Sequence, residues 1–175
     1  MLFFKIIDGV AIALHRAAGV MIVFVMFCVF ADVASRALLN ITDGAIDLTF
    51  RGGIELVKFG LMYSVLFAFP YAVDKGQIVV DLFTQNMTTR LQAFIDGLYL
   101  VLFAVLGALL CWRFTEAAMT TWRTGEQTQD LWISLSYIYA LASVALGLLA
   151  LRALSTGIDQ LIHGKREHKT AGDTL

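Results

Sequence analysis

Residues 131–151, LWISLSYIYALASVALGLLAL, run 21 positions without a charge, and three comparable apolar stretches precede them. About 20 apolar residues, each rising about 1.5 Å, cross a hydrocarbon core about 30 Å thick. A helix in a water-soluble core keeps one face polar and rarely needs such a run. Four such stretches in 175 residues leave little chain for a soluble domain. The chain therefore reads as an all-α integral membrane protein, one four-helix domain with spans at about 12–36, 54–73, 90–112 and 131–154 and a charged tail at 155–175.

Composition agrees, since 59% of residues are hydrophobic and 15% charged, against about 45–50% and about 25% in soluble domains. A net charge of −1 offers no field that would draw nucleic acid. Cys28 and Cys111 both lie inside apolar spans, so they read as small buried hydrophobes and not as a disulfide. Lys5, Arg16 and the apolar run 17–31 imitate a signal peptide. With three further spans following, an uncleaved first helix is the better reading.

A first helix beginning near Lys5 would exceed the bilayer thickness, so it tilts or projects. In the connection after it, Ile46, Leu48 and Phe50 alternate with polar residues before Gly52-Gly53. This pattern predicts a short amphipathic segment lying on the membrane surface, as does 78–87. Span two carries Glu55 and Lys58 in its first turns and Pro70 near its end, a proline that neighbouring helices can accommodate. Thr89 and Gln92 fit a capping box that opens span three. The stretch 113–130 is polar but holds Phe114, Met119 and Trp122, so its first half can prolong the helix.

Four spans put both termini on one side. With them inside, the cytoplasm holds Lys5, Arg16, Lys75, Arg90, Arg152, Lys165, Arg166 and Lys169. The outer side holds Arg36, Arg51, Arg113 and Arg123, with Lys58 at the edge. The excess favours an N-in, C-in topology. Trp112, Trp122 and Trp132 gather around the third connection, as an aromatic belt at the outer interface would.

For an enzyme there is little to point to: no metalloprotease helix motif, phosphate loop or paired-cysteine motif occurs. A haem anchor needs axial ligands within the bilayer, yet His15, His163 and His168 lie at helix ends or in the tail. No cofactor or metal is expected. The charges near the spans are more telling. Asp32 and Arg36 lie i,i+4 near the end of span one, and Arg51, Glu55 and Lys58 follow one another around the start of span two. Charges at membrane depth face a partner or a cavity. All five lie close to the outer boundary and none is central. They therefore read as pairs that join helices or subunits, and not as an ion pathway with Glu55 as its site. Asp74 and Asp96 read as boundary residues. Gly97, Gly107, Ala140, Ser143 and Gly147 offer small faces for close packing. Span two instead presents bulky Phe59, Met62, Tyr63, Phe67 and Phe69.

The order of these features resembles the small membrane subunit, DctQ-like, of tripartite ATP-independent periplasmic (TRAP) transporters. Arg36-Ala37-Leu38-Leu39-Asn40 is similar to the pattern that closes the family's first span, and Ile54-Glu55-Leu56 to the acidic motif that opens its second. Lys75-Gly76-Gln77-Ile78-Val79-Val80-Asp81 resembles the basic-glycine motif that follows. Gly125, Thr128, Leu131 and Ile133 fit the pattern before the last span. Gln77 stands where histidine is common, and Ser134 where proline is usual.

The resemblance implies a non-catalytic scaffold subunit in a bacterial inner membrane. Its partners would be a large membrane subunit carrying the substrate and sodium sites and a periplasmic binding protein delivering an organic anion, a C4-dicarboxylate or a sialic acid. Membrane lipid is expected at the subunit joint. Asp32, Arg36, Arg51, Glu55 and Lys58 are the subunit-interface candidates. With the N-in topology, Asp43, Asp47, Glu116, Arg123, Glu126 and Asp130 face the periplasm as docking candidates, joined there by Arg51. The alternatives are a self-contained four-helix transporter or channel, or the anchor of a redox complex.

Overall fold

A computed structural model describes residues 2–43, 48, 52–73 and 89–163. They form four helices: α1 (Leu2–Ile41), α2 (Gly53–Ala72), α3 (Thr89–Thr124) and α4 (Leu135–His163). Each is long and apolar enough to cross a membrane. Among the described residues the only extended pairing is an isolated bridge between Gln127 and Ser134. Apart from Leu48, which is exposed, the surface segments expected at 45–50 and 78–87 lie outside the described residues, as does the tail from 164 onward.

Two helices run well past their apolar stretches. The 40 residues of α1 and 36 of α3 make rods of about 60 and 54 Å, far beyond a hydrocarbon core of about 30 Å. In α3 the helix does continue through the first half of the polar stretch, to Thr124. Helix α4 starts later than the charge-free run that announces it. Residues 131–134 belong to a turn, because Trp132 at φ +55 leaves helical space.

The helices lie side by side in the order α1, α2, α4, α3. Helix α1 packs along α2, α3 along α4, and the two hairpins meet through α2 and α4. Helix α1 reaches α4 only slightly, and among the described residues the backbone of α3 runs close to that of α4 alone. The arrangement is a slab one helix thick, so most side chains face outward. Among the described side chains of α1 the buried ones are Ala11, Ala18 and Val25, seven apart, a narrow seam of the kind two helices share at a 3.5-residue repeat. Val20, Phe24, Phe27 and Phe30 of the same helix are exposed, which suits lipid or a protein partner. On α4 the buried set is broader and includes Ile138, Ala142, Ala145, Leu146, Leu149 and Ala153, since this helix has neighbours on two sides.

Association inside a bilayer gains little from the hydrophobic effect and depends on close packing. The seams use small residues accordingly. Gly60 leaves room for the Val25 side chain. Gly97 and Gly157 face each other across α3 and α4, and a Cβ on Gly157 would sit 3.0 Å from the Cβ of Leu100 and 3.3 Å from the Gly97 carbonyl oxygen.

Because one of those neighbours is backbone, Gly157→Leu is expected to force α3 and α4 apart. An overpacking cost of about 1–3 kcal/mol is expected, read as a lower melting temperature of the purified chain in mild detergent. Gly19, where an added Cβ would meet nothing within 4 Å, serves as control, and Gly19→Ala should melt no lower than the parent. Equal melting of both variants would mean the glycine seam does not hold the second hairpin.

Candidate functional site

The turn between α3 and α4 is where separate sequence motifs converge. Gly125, at φ +70, ends α3 and donates its N–H to the Thr121 carbonyl at 3.0 Å, the left-handed cap that glycine adopts without strain. Beyond it the chain folds back on itself. The Thr128 N–H donates to the Ile133 carbonyl at 2.9 Å, and the Leu135 N–H to the Glu126 carbonyl at 3.1 Å. The buried Thr128 hydroxyl accepts from the Ile133 N–H at 3.1 Å.

This small knot leaves two backbone donors aimed at α2. Glu55, in the first turn of that helix, takes both. Its Oε1 accepts from the Gln129 N–H at 2.8 Å and its Oε2 from the Leu131 N–H at 3.0 Å. Ionised acceptors make such bonds shorter and stronger than neutral ones, and a carboxylate near a helix N-terminus also meets the positive end of the dipole. One side chain thus fastens the first hairpin to the turn of the second. Two helical turns further on, the Tyr63 hydroxyl donates to the Ile138 carbonyl at 2.7 Å. Around that bond Tyr63, Ile138 and Ala142 form a buried cluster with Met21, Phe59 and Phe114 against it.

The opposite end of the same seam is pinned too. Arg152, only 8% exposed, meets Asp8 of α1 at 3.3 Å. Its guanidinium lies 5.8 Å from the centre of the Tyr71 ring, and that ring lies 4.6 Å from His15. This is a second place where α1, α2 and α4 converge, besides the Tyr63 cluster against which Met21 packs.

The residues expected from the sequence fall into several groups. Asp32 and Arg36 pair with each other at 2.9 Å within α1, so this bond joins no second helix. Lys58 is exposed with its ammonium 5.3 Å from the Phe59 ring centre. Arg51 and Asp47 lie outside the described residues. Asp43 is exposed in the turn after α1. Glu116 pairs with Arg113 at 3.0 Å on the exposed side of α3. Glu126 and Asp130 are exposed on the knot, whereas Arg123 turns to a groove between α3 and α4. Asp96, expected at a boundary, is wholly buried beside the Gly97–Gly157 contact.

That groove has a volume of about 600 Å³ and is lined by residues that include Thr115, Ala118, Arg123, Ser136 and Ala140. Along its floor the Thr115 and Ser143 hydroxyls bond at 2.7 Å, and Thr115 also donates to the Cys111 carbonyl at 2.8 Å. Trp122 and Tyr137 meet edge to face, ring centres 6.1 Å apart.

Sequence reasoning misses Tyr63 as a polar contact and the Asp8–Arg152 pair altogether. By composition Tyr63 groups with its bulky apolar neighbours on span two. The available signal for the pair is two opposite charges at the same expected end of spans one and four. Helices that close on each other need not be adjacent in sequence, so spacing alone does not join them.

A family model described as tripartite ATP-independent periplasmic transporters, DctQ component, matches residues 25–162. The match takes in Glu55, the knot at 125–134, the groove and Arg152, and leaves out Asp8. No curated protein and no solved structure matches the chain.

Removing the Glu55 carboxylate should free the knot while leaving the helices intact. In Glu55→Ala, backbone amides of Gln129 and Leu131 are expected to exchange with solvent at least about tenfold faster, as lost hydrogen bonds open locally. Glu55→Gln, which keeps one acceptor oxygen, should fall between. Hydrogen exchange of the detergent-purified chain reads this directly. Unchanged protection at both amides would remove Glu55 from its role.

Proposed function

The chain belongs to the DctQ family of TRAP transporter components, and we propose that it acts there as the small membrane subunit, a non-catalytic scaffold beside a large one. The partner carries substrate and coupling ion in a sodium-driven import of organic anions of the C4-dicarboxylate or sialic acid class. A periplasmic binding protein supplies the anion, and lipid fills part of the joint between the membrane subunits. The chain is a multi-pass protein of the bacterial inner membrane with both termini cytoplasmic.

The observation that carries this reading is the slab. The described helices lie side by side in the order α1, α2, α4, α3, a layer one helix thick and not a ring around a path. Three of the charged groups nearest the spans are taken up within the chain, Asp32 by Arg36, Glu55 by the knot and Arg152 by Asp8. A channel or self-contained transporter instead lines its path with polar groups that stay available to the solute. A slab has two broad apolar faces, which suits a subunit that widens a larger partner. Lys58 and the Asp32–Arg36 pair, exposed at the same end as the knot, are offered with Arg51 as contacts to that partner. Glu55 supports the contact indirectly by fixing the knot.

Under the N-in topology the knot, with Glu126 and Asp130, faces the periplasm together with Asp43 and Asp47. Exposed rim charges govern association rate and partner choice more than deep affinity. That behaviour fits a binding protein that must dock and leave in every cycle.

Purified alone and reconstituted in liposomes under sodium and proton gradients, the chain is expected to take up no organic anion. Uptake by the chain alone would make it a transporter in its own right. In the whole complex, Glu126→Lys with Asp130→Lys should slow transport at low binding-protein concentration while the membrane subunits still co-purify. Kinetics identical to the parent at every concentration would place docking elsewhere.

A further inference from the structure

The four charge-free stretches of the helices do not lie level. They are 17–31 on α1, 59–73 on α2, 97–112 on α3 and 131–151 running into α4, with middles near Phe24, Leu66, Ala104 and Leu141. Contacts between neighbours give their heights. Val25 of α1 fills the space at Gly60 of α2, and Tyr63 of α2 packs with Ala142 of α4. The middles of α1, α2 and α4 therefore fall within about 8 Å of one another along the helix axes.

Helix α3 is out of step with them. A Cβ on Gly107 would sit 3.3 Å from that of Ala150, and the Thr115 and Ser143 hydroxyls bond at 2.7 Å. Counting from either contact along two antiparallel helices, the position of α3 level with Leu141 is at or beside Glu116. The middle of α3's own charge-free stretch lies about 12 residues nearer its N-terminus, a drop of about 17 Å.

The surface of the hairpin follows that drop. At the height where the other three helices are most apolar, α3 exposes Arg113 and Glu116, 77% and 59% accessible and paired at 3.0 Å. Thr120 and Arg123 are exposed on the turns that follow. At the other end, past the level of Arg152 and Asp8, the same hairpin exposes Phe94, Leu98, Leu102, Ile158 and Leu161. Asp96 is wholly buried there and shows lipid no charge.

A flat bilayer set square to the helix axes would put an exposed ion pair at its centre and an apolar surface in water. The first is costly because hydrocarbon solvates charge poorly, and the second because water solvates a broad apolar patch poorly. Both costs fall away if the hydrocarbon layer lies lower at α3 than at the other helices. A drop of about 17 Å across three helix spacings of about 9 Å each is a slope of about 30°. Membrane helices tilt by up to about 40°, so the slope is within reach. Trp112, 73% exposed and next to Arg113, then stands near the headgroup level, where tryptophan is favoured.

We infer that the bilayer meets the slab obliquely, its hydrocarbon layer descending from α1 toward the free edge at α3. Lipid chains cover α3 from Phe94 to Trp112, phospholipid headgroups reach Arg113 and Glu116, and the last turns up to Thr124 stand in water on the side of the knot.

The chain's three tryptophans, Trp112, Trp122 and Trp132, serve as depth probes. All three are exposed, so Phe can replace them without disturbing the core. The full chain is reconstituted in phosphatidylcholine liposomes whose acyl chains carry bromine either near the headgroup or near the chain ends. With Trp122 and Trp132 replaced by Phe, Trp112 fluorescence should be quenched about twofold more by the shallow bromine than by the deep one. In a chain with all three replaced, Leu102→Trp should show the opposite preference, as should Leu61→Trp, which marks the middle of α2. With Trp122 as the sole tryptophan, aqueous acrylamide should quench it strongly and neither lipid should. A bilayer square to the helices reverses the order on α3, with Trp112 deep and Leu102→Trp shallow. That order, equal depths at the two positions, or strong quenching of Trp122 by the shallow bromine would each overturn the inference.

Discussion

The carboxylate of Glu55 closing two backbone N–H groups of the α3–α4 turn is the contact on which the architecture depends. The two helical hairpins share one seam, along α2 and α4, and each end of that seam needs a directional bond to hold its register. Apolar packing alone is a weak guide there, because lipid tails compete with any greasy side chain on equal terms. Glu55 at one end, Tyr63 one level deeper and Arg152 with Asp8 at the other supply the direction that packing lacks.

The same contact explains why a bulky residue tolerates a left-handed backbone. Trp132 at φ +55 bears a conformational cost of about 1–2 kcal/mol. It sits between Leu131, held by Glu55, and Ile133, held at both its N–H and its carbonyl by Thr128. Neighbours fastened on both sides leave the residue between them little choice. The outcome is a compact turn that exposes Trp132 and presents Glu126 and Asp130 to solvent, with its inner donors consumed.

Much of this is legible in the residues alone. Charge-free runs of bilayer length announce four membrane helices, and residue order carries the family resemblance that the match over 25–162 supports. The motif around Glu55 and the motif Gly125, Thr128, Leu131, Ile133 are each visible as a string. Their union is not. They are 70 residues apart, from Glu55 to Gly125, and nothing in periodicity says that a carboxylate at one helix start will meet amides in a distant turn. For the same reason Asp96 reads as a boundary residue. Its burial follows from the close approach of Gly97 to Gly157, a property of two helices at once.

The sequence by itself determined that this chain lives in a bilayer, since only a helix satisfies its own backbone hydrogen bonds where water is absent. Local composition suffices for that conclusion, because solvation acts on each segment separately. Tertiary structure alone decided the slab order, the start of α4 after a knot instead of at the first apolar residue, and the pairing of Asp8 with Arg152. Those depend on which helix faces which, and small residues permit several neighbours where directional polar contacts select one.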